Sequence, residues 1–101
     1  MIEHIVMIKI SGSYNAEAKL EKAKELKTML ENLPSVIKEI KSYKIGLNIS
    51  VSPNAYDLVL VSTFESLESL EIYRMHDEHQ KVVKKIEGYA SATTVVDYKN
   101  E

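Results

Sequence analysis

Residues 2 to 10 alternate strictly, with Ile2, His4, Val6, Ile8 and Ile10 on one face and Glu3, Ile5, Met7 and Lys9 on the other. A period of two in a β-branched stretch predicts a strand, with His4 on its more apolar face. After the polar turn Ser11 to Asn15 the period lengthens. Leu20, Ala23, Leu26, Leu30 and Leu33 recur at steps of three and four between Lys and Glu of both signs. This predicts an amphipathic helix from Ala16 to Asn32, capped by Asn15 and limited by Pro34. Alternation returns with Tyr43, Ile45, Leu47, Ile49 and Val51, so a second strand is expected over residues 39 to 51. Pro53 and Asn54 mark a turn, and Leu58 to Val61 follow as a third strand, apolar on both sides, in a hairpin with the second. Ser66 is placed to cap a helix that starts at Leu67 and carries Leu70 and Tyr73 inward. Asp77 followed three residues later by Gln80 resembles a capping box, which predicts a break near His76 and a restart with Val82, Val83 and Ile86 buried. Gly88 is expected to stop this helix, and Ala90 to Tyr98 reads as a fourth strand.

The order β-α-β-β-α-β is that of the split βαβ, or ferredoxin-like, arrangement of the α+β class: a four-stranded antiparallel sheet with two helices on one face. A chain of 101 residues, without internal repeat or linker, has room for one domain, 1–101. Such a sheet keeps one face uncovered, and a third strand apolar on both sides calls for a partner there. A homodimer whose sheets face one another as an α+β barrel is the expected solution.

Composition narrows the function classes. Thirteen Lys and Arg against fifteen Asp and Glu give a net charge of −2, with neither sign gathered into a block, so no nucleic-acid partner is expected. The absence of Cys removes disulfides, thiolate metal cages and thiol nucleophiles. No stretch approaches a membrane span, and the first residues lack the pattern of a signal peptide, so a cytoplasmic chain without a membrane partner is expected.

His4, Tyr73, His76 and His79 are the polar residues set beside apolar core positions. Tyr73, His76 and His79 lie at successive steps of three and would share one face of a continuous helix, where His4 could meet them across the core. A neutral imidazole accepts a proton near pH 7, and a tyrosine hydroxyl donates to a carbonyl oxygen as it gains charge. The combination suits proton abstraction beside a carbonyl. The structural alternatives are a core histidine at His4, a helix-junction residue at His76 and a packed aromatic at Tyr73. His-x-x-His lacks the spacing of zinc proteases, and no nucleophile elbow or phosphate loop occurs, so neither metal nor cofactor is expected.

Several segments together resemble the stress-responsive A/B barrel (Dabb) family: the opening Ile2 to Lys9, Ile40 to Asn48, Tyr56 to Ser66, the run Tyr73-Arg74-Met75-His76-Asp77-Glu78-His79-Gln80-Lys81-Val82-Val83, and the closing Val95-Val96-Asp97-Tyr98. The resemblance implies a ferredoxin-like subunit and a dimeric barrel. Most members have no established biochemical role. A plant branch includes a polyketide cyclase that closes a ring by aldol condensation, and by position its catalytic histidine and assisting tyrosine correspond to His79 and Tyr73. The family's strand-one histidine corresponds to His4. Two departures stand out: Asp77 where the family often has Pro, and Leu58 where the plant cyclase has a further pocket histidine, which argues against the same substrate. The implied function is binding, with or without acid/base turnover, of a small carbonyl-containing or aromatic molecule by His79, Tyr73 and His4. The alternative is a non-catalytic stress or assembly protein acting through its dimer surface. Oxidation of the kind performed by barrel-forming monooxygenases is a third class, disfavoured by the lack of Trp and of a haem-ligand motif.

Overall fold

In a computed structural model, which describes residues 1–100, the alternating segments become four strands: β1 (Ile2–Ile10), β2 (Ile40–Leu47), β3 (Leu58–Phe64) and β4 (Ala90–Lys99). They form one antiparallel sheet in the order β2-β3-β1-β4. The helices are α1 (Ala16–Glu31), α2 (Leu67–Met75) and α3 (Asp77–Tyr89), with a 3₁₀ turn at Leu33–Ser35 where proline opens the turn. The ferredoxin-like order is as expected. The second helix is divided in two at His76, so the helices number three rather than two.

Register decides what each face carries. His4 stands opposite Ser62 on β3 and Asp97 on β4, while Ser62 stands opposite Tyr43 on β2. Tyr43, Ser62, His4 and Asp97 therefore form one transverse row of polar side chains on the helix-covered face. The next row, Ile45, Leu60, Val6 and Val95, is wholly apolar. Ile8, Ile10, Leu26, Leu30, Phe64 and Leu70 fill the space between sheet and helices.

Three boundaries and one apolar position differ from expectation. β2 ends at Leu47 rather than 51, because the Asn48 side chain bonds the backbone of Ser50 in both directions and turns the chain. Ile49 and Val51, expected on the strand, are fully exposed. β3 runs on to Phe64, beyond Val61. Gly88 lies inside α3, which passes it and ends at Tyr89. On α1, Leu20 is 48% exposed, whereas Ala23, Leu26 and Leu30 are buried.

The opposite sheet face has no helix over it. Ile5, Met7, Val59, Val61, Val96 and Tyr98 form its apolar centre, and a chain of hydrogen bonds from Ser42 to Thr63 (2.7 Å) and from Thr63 to Glu3 (2.7 Å) borders it.

These assignments predict that Leu26→Ala costs about 2–5 kcal/mol of unfolding free energy and Leu20→Ala less than about 0.5 kcal/mol, measured by urea denaturation.

Candidate functional site

His4 is fixed on three sides. Its residue is 5% exposed, its ring meets Phe64 and Tyr73 edge-on at 6.2 and 6.0 Å, and its backbone oxygen accepts the Ser62 hydroxyl at 3.0 Å. Its Nδ1 lies 2.5 Å from Asp97 Oδ1, and Asp97 Oδ2 accepts from Arg74 Nη2 at 2.6 Å. A carboxylate that already accepts from a guanidinium also accepts from His4, so Nδ1 carries the hydrogen, and in the neutral ring Nε2 is the lone-pair nitrogen.

The second histidine is positioned by a helix end. Ser66 caps α2 by accepting from the Ser69 amide at 3.1 Å, and α2 then stops where His76 turns to extended backbone at φ −63°, ψ 134°. His76 itself caps α3, its Nδ1 accepting the Glu78 amide at 3.1 Å. Asp77, expected as the cap, is the first residue of α3, and Gln80 reaches back to the Arg74 carbonyl at 2.5 Å instead of closing a capping box. The last carbonyls of a helix lack intrahelical partners, and His79 takes the same Arg74 oxygen through Nδ1 at 3.1 Å. Donation from Nδ1 leaves Nε2 unprotonated on this ring too.

The Tyr73 ring lies under His79, with centroids 4.2 Å apart and a 40° tilt. Tyr73 has no exposed surface, and its hydroxyl is 2.6 Å from that of Tyr43. The hydroxyl expected to meet a ligand oxygen is thus held by another phenol. Burial pushes the Tyr73 hydroxyl up to about 12 and that of Tyr43 higher still, so both keep their protons.

A cavity of about 360 Å³ opens between α3 and the β1–β4 side of the sheet. His4, His79, Arg74 and Gln80 gather near the polar row, Val6, Leu60, Val83 and Val95 form the apolar wall, and Thr93 and Glu87 stand towards the far end of α3. Among the described residues no buried side-chain nitrogen or oxygen lacks a partner, so the two Nε2 atoms are accessible rather than sealed in protein, and both residues line the cavity. His76 does not line this space, and Leu58, where the plant cyclase has a histidine, is buried core. Among the described residues no three His, Asp or Glu side chains are grouped to hold a metal ion. The structure thus brings His4, Tyr73 and His79 together, and it adds three residues that spacing did not mark: Asp97, Arg74 and Tyr43. The signal for Asp97 was present as the one acidic residue within a β-branched strand, but its meaning depends on register.

Burial holds the His79 imidazole below its ordinary 6.5, opposed by its bond to the Arg74 carbonyl and reinforced by the Arg74 guanidinium and, wherever they are protonated, by His4 and His76. The folded state therefore binds this proton less readily than the unfolded chain. His79 costs no stability above pH about 6.5, and the cost grows as pH falls from there towards the lower folded value. Denaturation midpoints measured between pH 7.5 and 5 should fall, and His79→Gln should flatten that part of the decline.

The chain matches the Stress responsive A/B Barrel Domain over residues 2–100. Among curated proteins, none matches. A dimeric ferredoxin-like protein of unknown function from Bacteroides fragilis is 29% identical with a TM-score of 0.87, over 98% of this chain and 95% of that one. A protein of Arabidopsis thaliana is 25% identical with a TM-score of 0.81, over 100% and 96%. A hydroxynitrile lyase from Passiflora edulis shares the fold at 17% identity and a TM-score of 0.81, over 99% and 94%. Among the described residues no helix is long and apolar enough to cross a membrane. With the match extending over nearly its whole length, and with strand order and helices to fit, the chain belongs to the stress-responsive A/B barrel domain family.

Proposed function

We propose that the protein binds a small, largely apolar molecule bearing an acidic O–H, or a C–H beside a carbonyl, and moves a proton on it. The observation that carries this reading is a pair of histidines, His4 and His79, that both bond protein through Nδ1 and both line one end of an apolar cavity, which leaves Nε2 as the ring nitrogen available to a ligand. Two hydrogen-bond acceptors in a dry wall select a ligand that offers donors. His79, kept neutral by burial, acts as the base: the C–H bond breaks, a hydrogen forms a bond to Nε2, and the electron pair moves onto the carbonyl oxygen. His4 orients the ligand by accepting a hydrogen bond from a ligand hydroxyl at Nε2. Tyr73 supports the His79 ring from below, and its hydroxyl stays with Tyr43.

4-Hydroxyacetophenone in D₂O tests the reaction, because its hydroxyl can donate to His4, and phenol tests the site. The protein should accelerate exchange of the methyl hydrogens of 4-hydroxyacetophenone by about 10²–10⁴-fold over His79→Ala, followed by proton NMR. Tyr73→Phe should retain most of the rate. Phenol should shift the ring signals of His4 and His79 and leave His76 unmoved. No exchange, together with histidine signals indifferent to phenol, would sink this reading.

The open sheet face favours a companion reading at the level of assembly: the protein is a homodimer through Ile5, Met7, Val59, Val61, Val96 and Tyr98. Apolar area concentrated on an uncovered sheet supports it, as does the dimeric state of the Bacteroides fragilis relative. Val61→Glu should give a monomer by analytical ultracentrifugation. If the dimer surface were the whole function, His79→Ala would unfold or dissociate the protein. The acid/base reading expects it to stay folded and dimeric, with only the loss of one hydrogen bond, about 1 kcal/mol.

A further inference from the structure

We infer that Arg74 is a positioning residue that holds both histidines in one tautomer: its carbonyl oxygen takes His79, and its guanidinium takes His4 through Asp97. This rests on the proposal that the two imidazoles face a ligand. It adds a residue that touches neither ring with its side chain.

Two different parts of one residue reach the two rings. Arg74 sits in the last turn of α2, where its carbonyl has no helical partner, and the break at His76 brings His79 Nδ1 to that oxygen at 3.1 Å. The side chain runs the other way, to the edge strand β4, and places Nη2 2.6 Å from Asp97 Oδ2. That leaves Oδ1 for His4 Nδ1. Asp97 needs such a brace. Its side chain is 23% exposed and β4 is an edge strand, so water competes for the carboxylate. With Oδ2 held by Arg74 Nη2, turning the carboxylate away from His4 would break that ion pair as well. The guanidinium's other end faces Glu71 at 3.6 Å on the same helix, which steadies the fork at a partly exposed position.

The asymmetry between backbone and side chain supplies the test. A substitution at Arg74 removes the guanidinium and keeps the carbonyl, so it should disturb His4 and spare His79. In the ligand-free ¹⁵N-labelled protein, long-range ¹H–¹⁵N correlation of the imidazoles should show both rings hydrogenated at Nδ1. In Arg74→Met the single-tautomer pattern of His4 should be lost to a mixture, while His79 keeps its pattern. Asp97→Asn should do more. With Arg74 donating to the amide oxygen, the amide NH₂ faces Nδ1 and His4 flips to the Nε2-hydrogenated form; adding Arg74→Met should abolish that flip, because the amide is then free to turn.

An unchanged His4 in Arg74→Met, or no flip in Asp97→Asn, would overturn the inference. So would a His79 pattern that changes along with His4, since that marks a general collapse of the α2–α3 junction. Because every reading is made without ligand, failure of phenol to bind would count against the proposed function and leave this result standing.

Discussion

Side chains alternate across a strand, so a slip of one residue between β1 and either neighbour would turn His4 to the open face and separate it from Asp97 and Ser62. The register that prevents this is held by apolar rows on both sides of the polar one: Ile2 with Phe64 on one side, Val6 with Leu60 and Val95 on the other. The position of the polar row is therefore decided by hydrophobic burial next to it. Once the row is set, its four members satisfy one another or α2: Ser62 bonds the His4 backbone, Asp97 takes the His4 ring, and Tyr43 takes Tyr73. Polar groups in a low-dielectric layer are tolerated because each has a partner.

The interrupted helix is the other half of the site. Ending α2 at Met75 exposes carbonyls that an unbroken helix would have bonded internally, and His79 and Gln80 both use the Arg74 oxygen. The interruption changes what a step of three residues means. On a continuous helix Tyr73, His76 and His79 would form a stripe. With the break, His76 caps α3, Tyr73 lies beneath, and His79 comes forward over the cavity. One irregularity of the backbone thus provides both the hydrogen-bond acceptor and the placement of the ring that uses it.

The two faces of the sheet carry different tasks. The helix-covered face holds the cavity and its buried polar row, while the open face is apolar at its centre and polar at its border. This separation lets the proposed dimer form without closing the cavity, because β1, β3 and β4 send alternate residues to opposite sides. It also makes β1 the shared element, with His4 pointing into the site and Ile5 pointing towards the partner.

By itself, the sequence determined the order of elements, the amphipathic first helix, the break near His76 and the apolar faces, since each is written in a local period of two or of three and four. It also brought His4, Tyr73 and His79 forward as neighbours, partly through the family resemblance. It misjudged what depends on local hydrogen bonding: Asn48 turns the chain and strips Ile49 and Val51 from the strand, and His76 rather than Asp77 caps α3. Only the tertiary structure decided that Asp97 meets both His4 and Arg74, and that Tyr43 holds the Tyr73 hydroxyl. The physical reason is separation along the chain. Periodicity reports the face on which a residue lies, whereas partners 93 and 30 residues apart are chosen by strand register and helix packing, which the whole core settles together.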